Sequence, residues 1–439
     1  MMSRPQMLGA PRPPNNEPDA LDALAPKVTP MIEVIGVGAA GFASLCPVIR
    51  TMVRDAPCVI SSQRLLATLP DNATQQRRPW PHPISSTLVN FIDQLPSGSV
   101  VLASGDPMVS GVGSTLVRLL GVDAVRVHPA ISSVSLARAR LGWAAETVTT
   151  LSLVNCPTYV VRAALAPCAR LVLLSAGRHT PVEVARELVD AGWGRSQLTV
   201  LGNLGATSAS SRQGTALVAA DWTHDDLPAL NAVAVEAFSD NDAAILGRVP
   251  GLPDDSFAHD GQLTKTELRA IALSALRPQP GELLWDLGAG AGSVAIEWAR
   301  TDLRCTAIAI ERDAERASTI STNAYRLGTP NVRVECGTSA DIIAELPLPD
   351  AVFVGGGAND FLVDTIWRRL RPGGRLVMHA VTLQTEQVLI TAQQRFGGAL
   401  RRLSIERADP LGNYLSWTPM RPVIHLAVTR STDETNWKT

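Results

Sequence analysis

Leu283-Leu284-Trp285-Asp286-Leu287-Gly288-Ala289-Gly290-Ala291-Gly292-Ser293 decides the fold class of the C-terminal half. An apolar run that passes through an acid into alternating glycines predicts a buried strand, a tight turn, and a helix opening near Ser293. Gly288, Gly290 and Gly292 carry no Cβ, so the backbone there can turn sharply and come close to a ligand. The helix that follows would aim its first N–H groups at that ligand. Ala307-Ile308-Ala309-Ile310 predicts a second strand ending at Glu311, where a carboxylate can accept both hydroxyls of a ribose.

Spacing and charge then narrow the ligand to one kind of adenosine cofactor. The dinucleotide fingerprint is G-x-G-x-x-G with a pyrophosphate on the helix end. Here the spacing is G-x-G-x-G, and Asp286 stands at the strand tip, two residues before Gly288. A carboxylate there repels a pyrophosphate and suits an ammonium group, which speaks against the rival reading of a nicotinamide-dependent reductase. S-adenosylmethionine carries an ammonium, a sulfonium and a ribose. The stretch resembles the first motif of the Rossmann-like (class I) methyltransferases. That resemblance implies a site on Asp286, Gly288, Gly290, Gly292 and Glu311. It also places Thr338, Ser339 and Ala340, in the loop after strand Val332–Glu335, beside the adenine. An acid often follows the glycine of that loop, and Thr338 holds its place here.

The whole chain supports more than one such unit. Its 439 residues suggest two or three domains. With 46% hydrophobic and 18% charged residues it can bury large cores. A formal net charge of −2 leaves no electrostatic footprint for nucleic acid. The cysteines form no C-x-x-C pair, which fits reduced thiols in a cytoplasm rather than a disulfide framework or a metal site. No apolar run approaches the roughly 18 residues of a membrane span. Residues 1–30, rich in Pro, Asn and Asp, read as a disordered leader.

The first half repeats the strand-then-glycine theme. Met31 to Gly38 predicts a strand entering a turn at Gly36 and Gly38, and a helix near Cys46-Pro47, since proline is tolerated in a first helical turn. Ser99 to Ala103 predicts a buried strand that ends in Ser104-Gly105-Asp106-Pro107, the end at which open α/β sheets bind ligands. A strand over Ala124–Pro129 leads to Ala130-Ile131-Ser132-Ser133, where either serine can cap a helix or meet a ligand. Together, Ala103-Ser104-Gly105-Asp106-Pro107 and Pro129-Ala130-Ile131-Ser132-Ser133 resemble the tetrapyrrole methylase family. That family is a two-subdomain (class III) methyltransferase fold that also uses S-adenosylmethionine. The resemblance, over about 31–240, implies cofactor contacts at Gly36, Gly38, Gly105, Asp106, Pro107, Ser132 and Ser133. Ala39-Ala40-Gly41 departs from the family's opening loop, and Ala130 stands where glycine is usual. Asp106 reads as an organiser of its loop rather than as a base.

Residues 241–262 read as a linker, turn-rich around Pro250-Gly251-Leu252-Pro253. A helix should start at Thr264, with Thr264 and Glu267 spaced as a capping box. Lys265 and Arg269 on that helix read either as a solvated face or as cations at the cofactor mouth. Residues 263–430 alternate strands and helices, which predicts a mainly parallel sheet, and 431–439 form a tail. Gly251-Leu252-Pro253-Asp254, Thr264 to Arg269, Trp285 to Gly290 and Val354-Gly355-Gly356-Gly357 are similar to the decarboxylating precorrin methyltransferases.

A tetrapyrrole methylase fused to such a module implies an α/β enzyme of corrin-ring (cobalamin) biosynthesis. The resemblance implies methylation of a precorrin at meso carbons 5 and 15, with decarboxylation of the ring C acetate. It implies one S-adenosylmethionine site per methyltransferase domain and a homo-oligomer, dimer or tetramer. The expected partner is the tetrapyrrole, with no nucleic acid and no membrane. The substrate's carboxylates call for cations, with Arg178, Lys265, Arg269 and Arg421 as candidates. His379, at the end of a predicted strand, is either a proton-handling or carboxylate-binding group or a structural hydrogen bond. The alternative is a methyltransferase for another tetrapyrrole, one half acting only as a binding module.

Overall fold

The structure, a computed structural model, describes residues 31–81, 84–241 and 243–432. The leader expected over 1–30 lies outside them, as does 433–439 of the expected tail. The described residues form two compact units, one of 31–37 with Gly41–Ala130, the other of Gly38–Ala40 with 131–432.

The first unit is built on five parallel strands. They are β1 (Ile32–Val37), β2 (Cys58–Ser61), β3 (Gln76–Pro79), β4 (Val100–Ser104) and β5 (Val125–His128), in the order β3-β2-β4-β1-β5. A sheet buried on both faces needs unbroken apolar strands, and β2 and the core of β4 are buried throughout. The helix Pro47–Asp55 begins on its proline, as the sequence predicts.

The second unit holds two sheets. One comprises β6 (Val148–Ser152), β7 (Arg170–Leu174), β8 (Gln197–Gly202), β9 (Ser210–Thr215) and β10 (Asn231–Glu236), in the order β6-β7-β10-β8-β9. Only β6 and β7 run parallel; the other pairs are antiparallel. The other comprises β11 (Leu283–Leu287), β12 (Thr306–Glu311), β13 (Val332–Cys336), β14 (Ala351–Val354), β15 (Arg375–Ala380) and β16 (Ala399–Leu403). After a detached hairpin, β17 (Glu406–Leu411) and β18 (Tyr414–Pro419), the last strand β19 (Val423–Thr429) enters this sheet. The order is β13-β12-β11-β14-β15-β19-β16, with β19 antiparallel to both neighbours. This is the expected mainly parallel sheet, and β16 and the hairpin are additions that the sequence reading lacks.

Alternation along β11 serves two cores. Trp285 and Leu287 pack with Ile308, Val352 and Met378 under the helices Asp360–Arg369 and Leu383–Phe396. Leu284 packs with Ala307, Phe353 and Val377 under the helices Thr266–Leu276 and Ser293–Thr301. The order reverses direction between β11 and β14, so a crevice opens at their carboxyl ends.

The expected capping box does not form. Lys265 occupies the N-cap and its side chain makes no cap bond. Asp254 does the work from the linker, its Oδ1 accepting Thr266 N at 3.0 Å and Thr266 Oγ1 at 2.9 Å. A carboxylate at a helix start also meets the positive end of the dipole.

Arg269 is likewise corrected: it is fully buried and cannot stand at a substrate mouth. Its Nε reaches Glu297 Oε1 at 2.5 Å, its Nη1 reaches Asp254 at 3.3 Å, and its Nη atoms donate to the carbonyls of Thr264 and Leu252. Phe257 lies under the guanidinium, 4.8 Å from ring centre to Cζ. Arg269→Ala strands the buried Glu297 and should cost about 3–5 kcal/mol in urea unfolding. Lys265, one-third exposed and 3.7 Å from Asp254, should cost under about 1 kcal/mol when changed to Ala. Equal, small effects would mean that the buried network does not organise the module.

Candidate cofactor and substrate sites

The C-terminal site forms where β11, β12, β13 and β14 end. Gly288, Gly290 and Gly292 all adopt left-handed backbone, with φ of +67°, +58° and +76°. That conformation strains any other L-residue and explains the alternating spacing. The turn is pinned from three sides. Gly288 N and Ala289 N donate to Ile310 O, both at 3.0 Å. Ala291 N donates to Gln262 O at 3.2 Å, and a Cβ on Gly290 would stand 2.7 Å from that same carbonyl. Asn323 Nδ2 donates to Ala291 O and to Ala258 O, both at 2.9 Å. Residues 251–265 are therefore a strap over the glycine loop, and Gln262, Asn323 and Glu297 are positioning residues that sequence spacing did not reveal.

The two acids sit as expected, and both also serve the backbone. Asp286 is buried; its Oδ2 accepts Ala295 N at 3.0 Å in the first turn of the helix, while Oδ1 has no partner among the described residues. Burial, and after it the charge on Glu311, pushes its carboxyl up to about 7, against the pull of the Ala295 N–H. A buried oxygen without a partner beside a helix N-terminus is ready for a cationic or hydrogen-bonding ligand. Glu311 Oε2 accepts Gly290 N at 2.9 Å, and Oε1 accepts Asp313 N at 3.1 Å, so the acid expected at a ribose braces the loop. Gly337 N donates to Glu311 O at 2.9 Å. Thr338 is the N-cap of the short helix Ser339–Ile342 and bonds Asp341 Oδ2 at 2.5 Å, which leaves Ser339 and Ala340 in its first turn. Gly355 closes the far side, its N donating to Leu287 O at 3.2 Å. A loop that only glycine can follow, a strand-tip carboxylate and an unpartnered buried oxygen together fit an adenosine cofactor with an ammonium end.

In the first unit, Gly36, Gly105 and Ala130 meet. A Cβ on Gly36 would lie 2.6 Å from Gly105 O and 2.8 Å from Ala130 Cβ. Gly105, at φ +66°, donates its N to Val37 O at 2.8 Å. Asp106 Oδ1 accepts Met108 N at 2.9 Å, the loop-organising role read from the sequence. Pro107 is seated against Gly111 and Gly113, where a Cβ would approach its carbonyl to 2.6 and 2.8 Å. Gly38, Ser132 and Ser133 belong to the second unit. Ser132 caps the helix Ser133–Leu141, its Oγ accepting Ser135 N at 3.1 Å.

Of the cationic candidates, Arg178 is half-exposed and 3.4 Å from Asp225, and Arg421 is exposed without a partner among the described residues. Of the two readings of His379, the catalytic one is corrected and the structural hydrogen bond holds. The His379 ring is buried between β15 and β19, where Nε2 stands 3.0 Å from His425 Nδ1 and Phe353 meets it edge-on. Burial, then the neighbouring imidazole, pushes His379 down to about 3. Burial and Arg401 push His425 down to about 4. Both rings stay neutral at physiological pH, and the pair is a core hydrogen bond. Among the described residues, no group of three or more His, Cys, Asp or Glu is placed to hold a metal, and no helix is long and apolar enough to cross a membrane.

The pH consequence follows from sign. Unfolded histidine protonates near pH 6.5 and these folded rings do not, so their contribution is whole above pH 6.5 and is lost as pH falls toward 4. The loss approaches about 1.4 kcal/mol per pH unit for each ring. Thermal unfolding between about pH 6.5 and about pH 4.5 should fall less steeply for the His379→Gln/His425→Gln double variant than for the wild type. Superimposable profiles would overturn the assignment.

Comparison with known proteins gives the context of these sites. The family model of the precorrin methyltransferase domain matches residues 255–430, and that of the tetrapyrrole (corrin/porphyrin) methylases matches 31–216. A precorrin-6Y C(5,15)-methyltransferase [decarboxylating] of Sinorhizobium sp. is 40% identical over 404 residues, covering 92% of this chain and 97% of that protein. Its namesake from Mycobacterium tuberculosis (strain CDC 1551 / Oshkosh) is 39% identical over 406 residues, 91% of this chain and 100% of that one. The crystal structure of the C-terminal domain of precorrin-6Y C5,15-methyltransferase from Rhodobacter capsulatus is 45% identical. It covers 42% of this chain and 100% of its own, with a TM-score of 0.41.

Proposed function

We propose the reaction from one premise: this chain belongs to the decarboxylating precorrin-6Y C(5,15)-methyltransferases, whose members match it at about 40% identity across nine-tenths of its length. It is an S-adenosylmethionine-dependent C-methyltransferase of corrin-ring biosynthesis. It methylates a precorrin at meso carbons 5 and 15 and removes the carboxyl group of the ring C acetate as carbon dioxide. The observation that carries the reading is the glycine cradle at the β11/β14 crevice, on a chain that also bears a tetrapyrrole methylase half.

We assign one cofactor site to each half. In the C-terminal half, the backbone of Gly288, Gly290 and Gly292, the free oxygen of Asp286, the carboxylate of Glu311 and the Thr338-Ser339-Ala340 turn would hold it. In the N-terminal half, Gly36, Gly38, Gly105, Asp106, Pro107, Ser132 and Ser133 are the proposed contacts. When bound, S-adenosylmethionine supplies an electrophilic methyl group on sulfur. A reduced tetrapyrrole is electron-rich at its meso carbons, so the chain needs no general base there. Its residues orient the ring and exclude water. Arg178 and Arg421 remain candidates for the substrate's carboxylates. We assign carbon 15 and the decarboxylation to the C-terminal half, and carbon 5 to the N-terminal half. With labelled S-adenosylmethionine and precorrin-6Y, mass spectrometry should show two methyls gained and one carbon dioxide lost. Gly290→Val, strained at its φ and pressed on Gln262 O, should give one methyl and an intact acetate. Loss of both methyls from that folded variant would defeat the division of labour.

The chain is proposed to be a homo-oligomer, a dimer or tetramer, joined through the β17–β18 hairpin. Ala408 pairs with Trp417 and Pro410 with Leu415, so the four share one face; Leu415 and Trp417 are 71% and 69% exposed. The other face is held to its own chain by Arg407, which grips both oxygens of Glu267 at 3.0 and 2.8 Å. A two-stranded ribbon is marginal alone in water, and an apolar face of this kind asks to be covered. Light scattering should show the wild type as an oligomer and Leu415→Lys/Trp417→Glu as a monomer. A monomeric wild type would overturn this.

A further inference from the structure

A cavity lies at the other end of the helix Ser293–Thr301 from the glycine loop. It occupies about 340 Å³ where the linker, the helices beside the β6–β10 sheet and the last turns of two Rossmann-like helices meet. Arg300, at the end of the helix Ser293–Thr301, lines it, as does Arg326, the last residue of the helix Ala314–Arg326. Leu165, Leu246 and Leu327 contribute an apolar wall.

The charges lining it are unequally satisfied. Arg300 is only 4% exposed, yet no carboxylate pairs with it among the described residues. Its Nη1 donates to Leu327 O at 2.5 Å, and its Nη2 to Leu246 O and Gly247 O at 3.2 and 3.4 Å. Its Nε is buried and has no partner among the described residues. A buried charge with an unmet donor is costly unless something compensates it. Burial, and then the charge on Arg248, pulls this guanidinium down to about 10, with Glu297 opposing, so it remains charged at neutral pH. Arg326 is exposed and has neither an ion pair nor a hydrogen bond among the described residues. Arg162, by contrast, is already neutralised by Glu187 at 2.7 Å and Asp190 at 3.8 Å. Asp255, also on the lining, is exposed and unpaired.

We propose that this cavity binds a small oxyanion, a carboxylate or a phosphate, held between Arg300 and Arg326. Its volume is at the lower end of the ligand-pocket range of roughly 300–1,000 Å³, which suits a small organic anion rather than a whole tetrapyrrole. The apolar wall accommodates a short carbon skeleton, and Asp255 favours a ligand with a hydroxyl or amine beside its anionic group. An anion there would touch both the β6–β10 half and the Rossmann-like half, and would brace them against each other.

The test uses the full chain and two probes, inorganic phosphate and succinate, against sodium chloride at matched ionic strength. Thermal unfolding and isothermal titration should show a saturable stabilisation by at least one probe. Phosphate alone would identify a phosphate ligand, and succinate alone a carboxylate. Arg326→Gln, an exposed change that leaves Arg300 in place, should weaken that binding at least about tenfold, the worth of one charge-assisted hydrogen bond. It should leave the anion-free melting temperature and S-adenosylmethionine affinity unchanged. No saturable effect of either probe would overturn the proposal, as would equal stabilisation of wild type and Arg326→Gln, which is a general salt effect.

Discussion

The ion pair between Arg269 and Glu297 holds the glycine-loop end of the C-terminal half in place. Glu297 lies one turn into the helix that the glycine loop opens, and its two oxygens accept Gly251 N at 2.6 Å and Leu252 N at 3.0 Å. Arg269 joins that carboxylate to Asp254 and to the start of the preceding helix. A buried pair of this kind contributes little net stability against a well-packed apolar alternative. Its value here is positional. With residues 251–254 fixed at one end, the strap delivers Gln262 to the glycine loop, and Gln262 O then both accepts Ala291 N and forbids a side chain at Gly290. The linker is thus a wall of the site rather than a tether beside it.

That distinction marks what a single sequence can reveal. The glycine loop, the tip acids and the strands around them were readable because each depends on neighbours in sequence: φ demands at Gly288, Gly290 and Gly292, and apolar runs at β11 and β12. The proline start at Pro47 and the serine cap at Ser132 are local for the same reason. Arg269 misleads because a charged residue on an amphipathic helix looks solvated. Its partners stand 15 and 28 residues away, in a turn and on another helix. His379 stayed open between two readings for a like reason: the antiparallel pairing of β15 with β19 brings His425 opposite it from 46 residues downstream. The hairpin was invisible because Glu406–Pro419 buries nothing in its own chain, so no core pattern marks it.

Chemical departures from a family pattern also gain meaning from geometry. Ala130 stands where glycine is usual, and its methyl occupies the space next to Gly36. A side chain at position 36 is therefore excluded twice, by Ala130 and by Gly105 O, and the turn after β1 keeps its narrow cross-section. At Thr338 the missing acid is answered differently. The hydroxyl donates to Asp341 in the first turn of the helix it caps and holds that carboxylate beside the loop. The first change preserves a shape and the second relocates a charge.

The seam between the β6–β10 half and the Rossmann-like half obeys the same logic of close approach. A Cβ on Gly328 would stand 2.5 Å from Ala163 N, so only glycine lets the two backbones meet there. Beside it, Tyr325 packs edge-on against Tyr159 at 5.1 Å, while Arg162 stacks 4.5 Å above the Tyr325 ring and donates to its hydroxyl at 3.2 Å. Arg162 is itself held by Glu187, so the stacked group is rigid rather than a loose surface contact. Two domains joined only by a linker move independently, since their interfaces are small and polar by default. Here a glycine contact, an aromatic pair and an anchored cation work against that default. Arg300, buried without a paired carboxylate among the described residues, lines the cavity in the same seam.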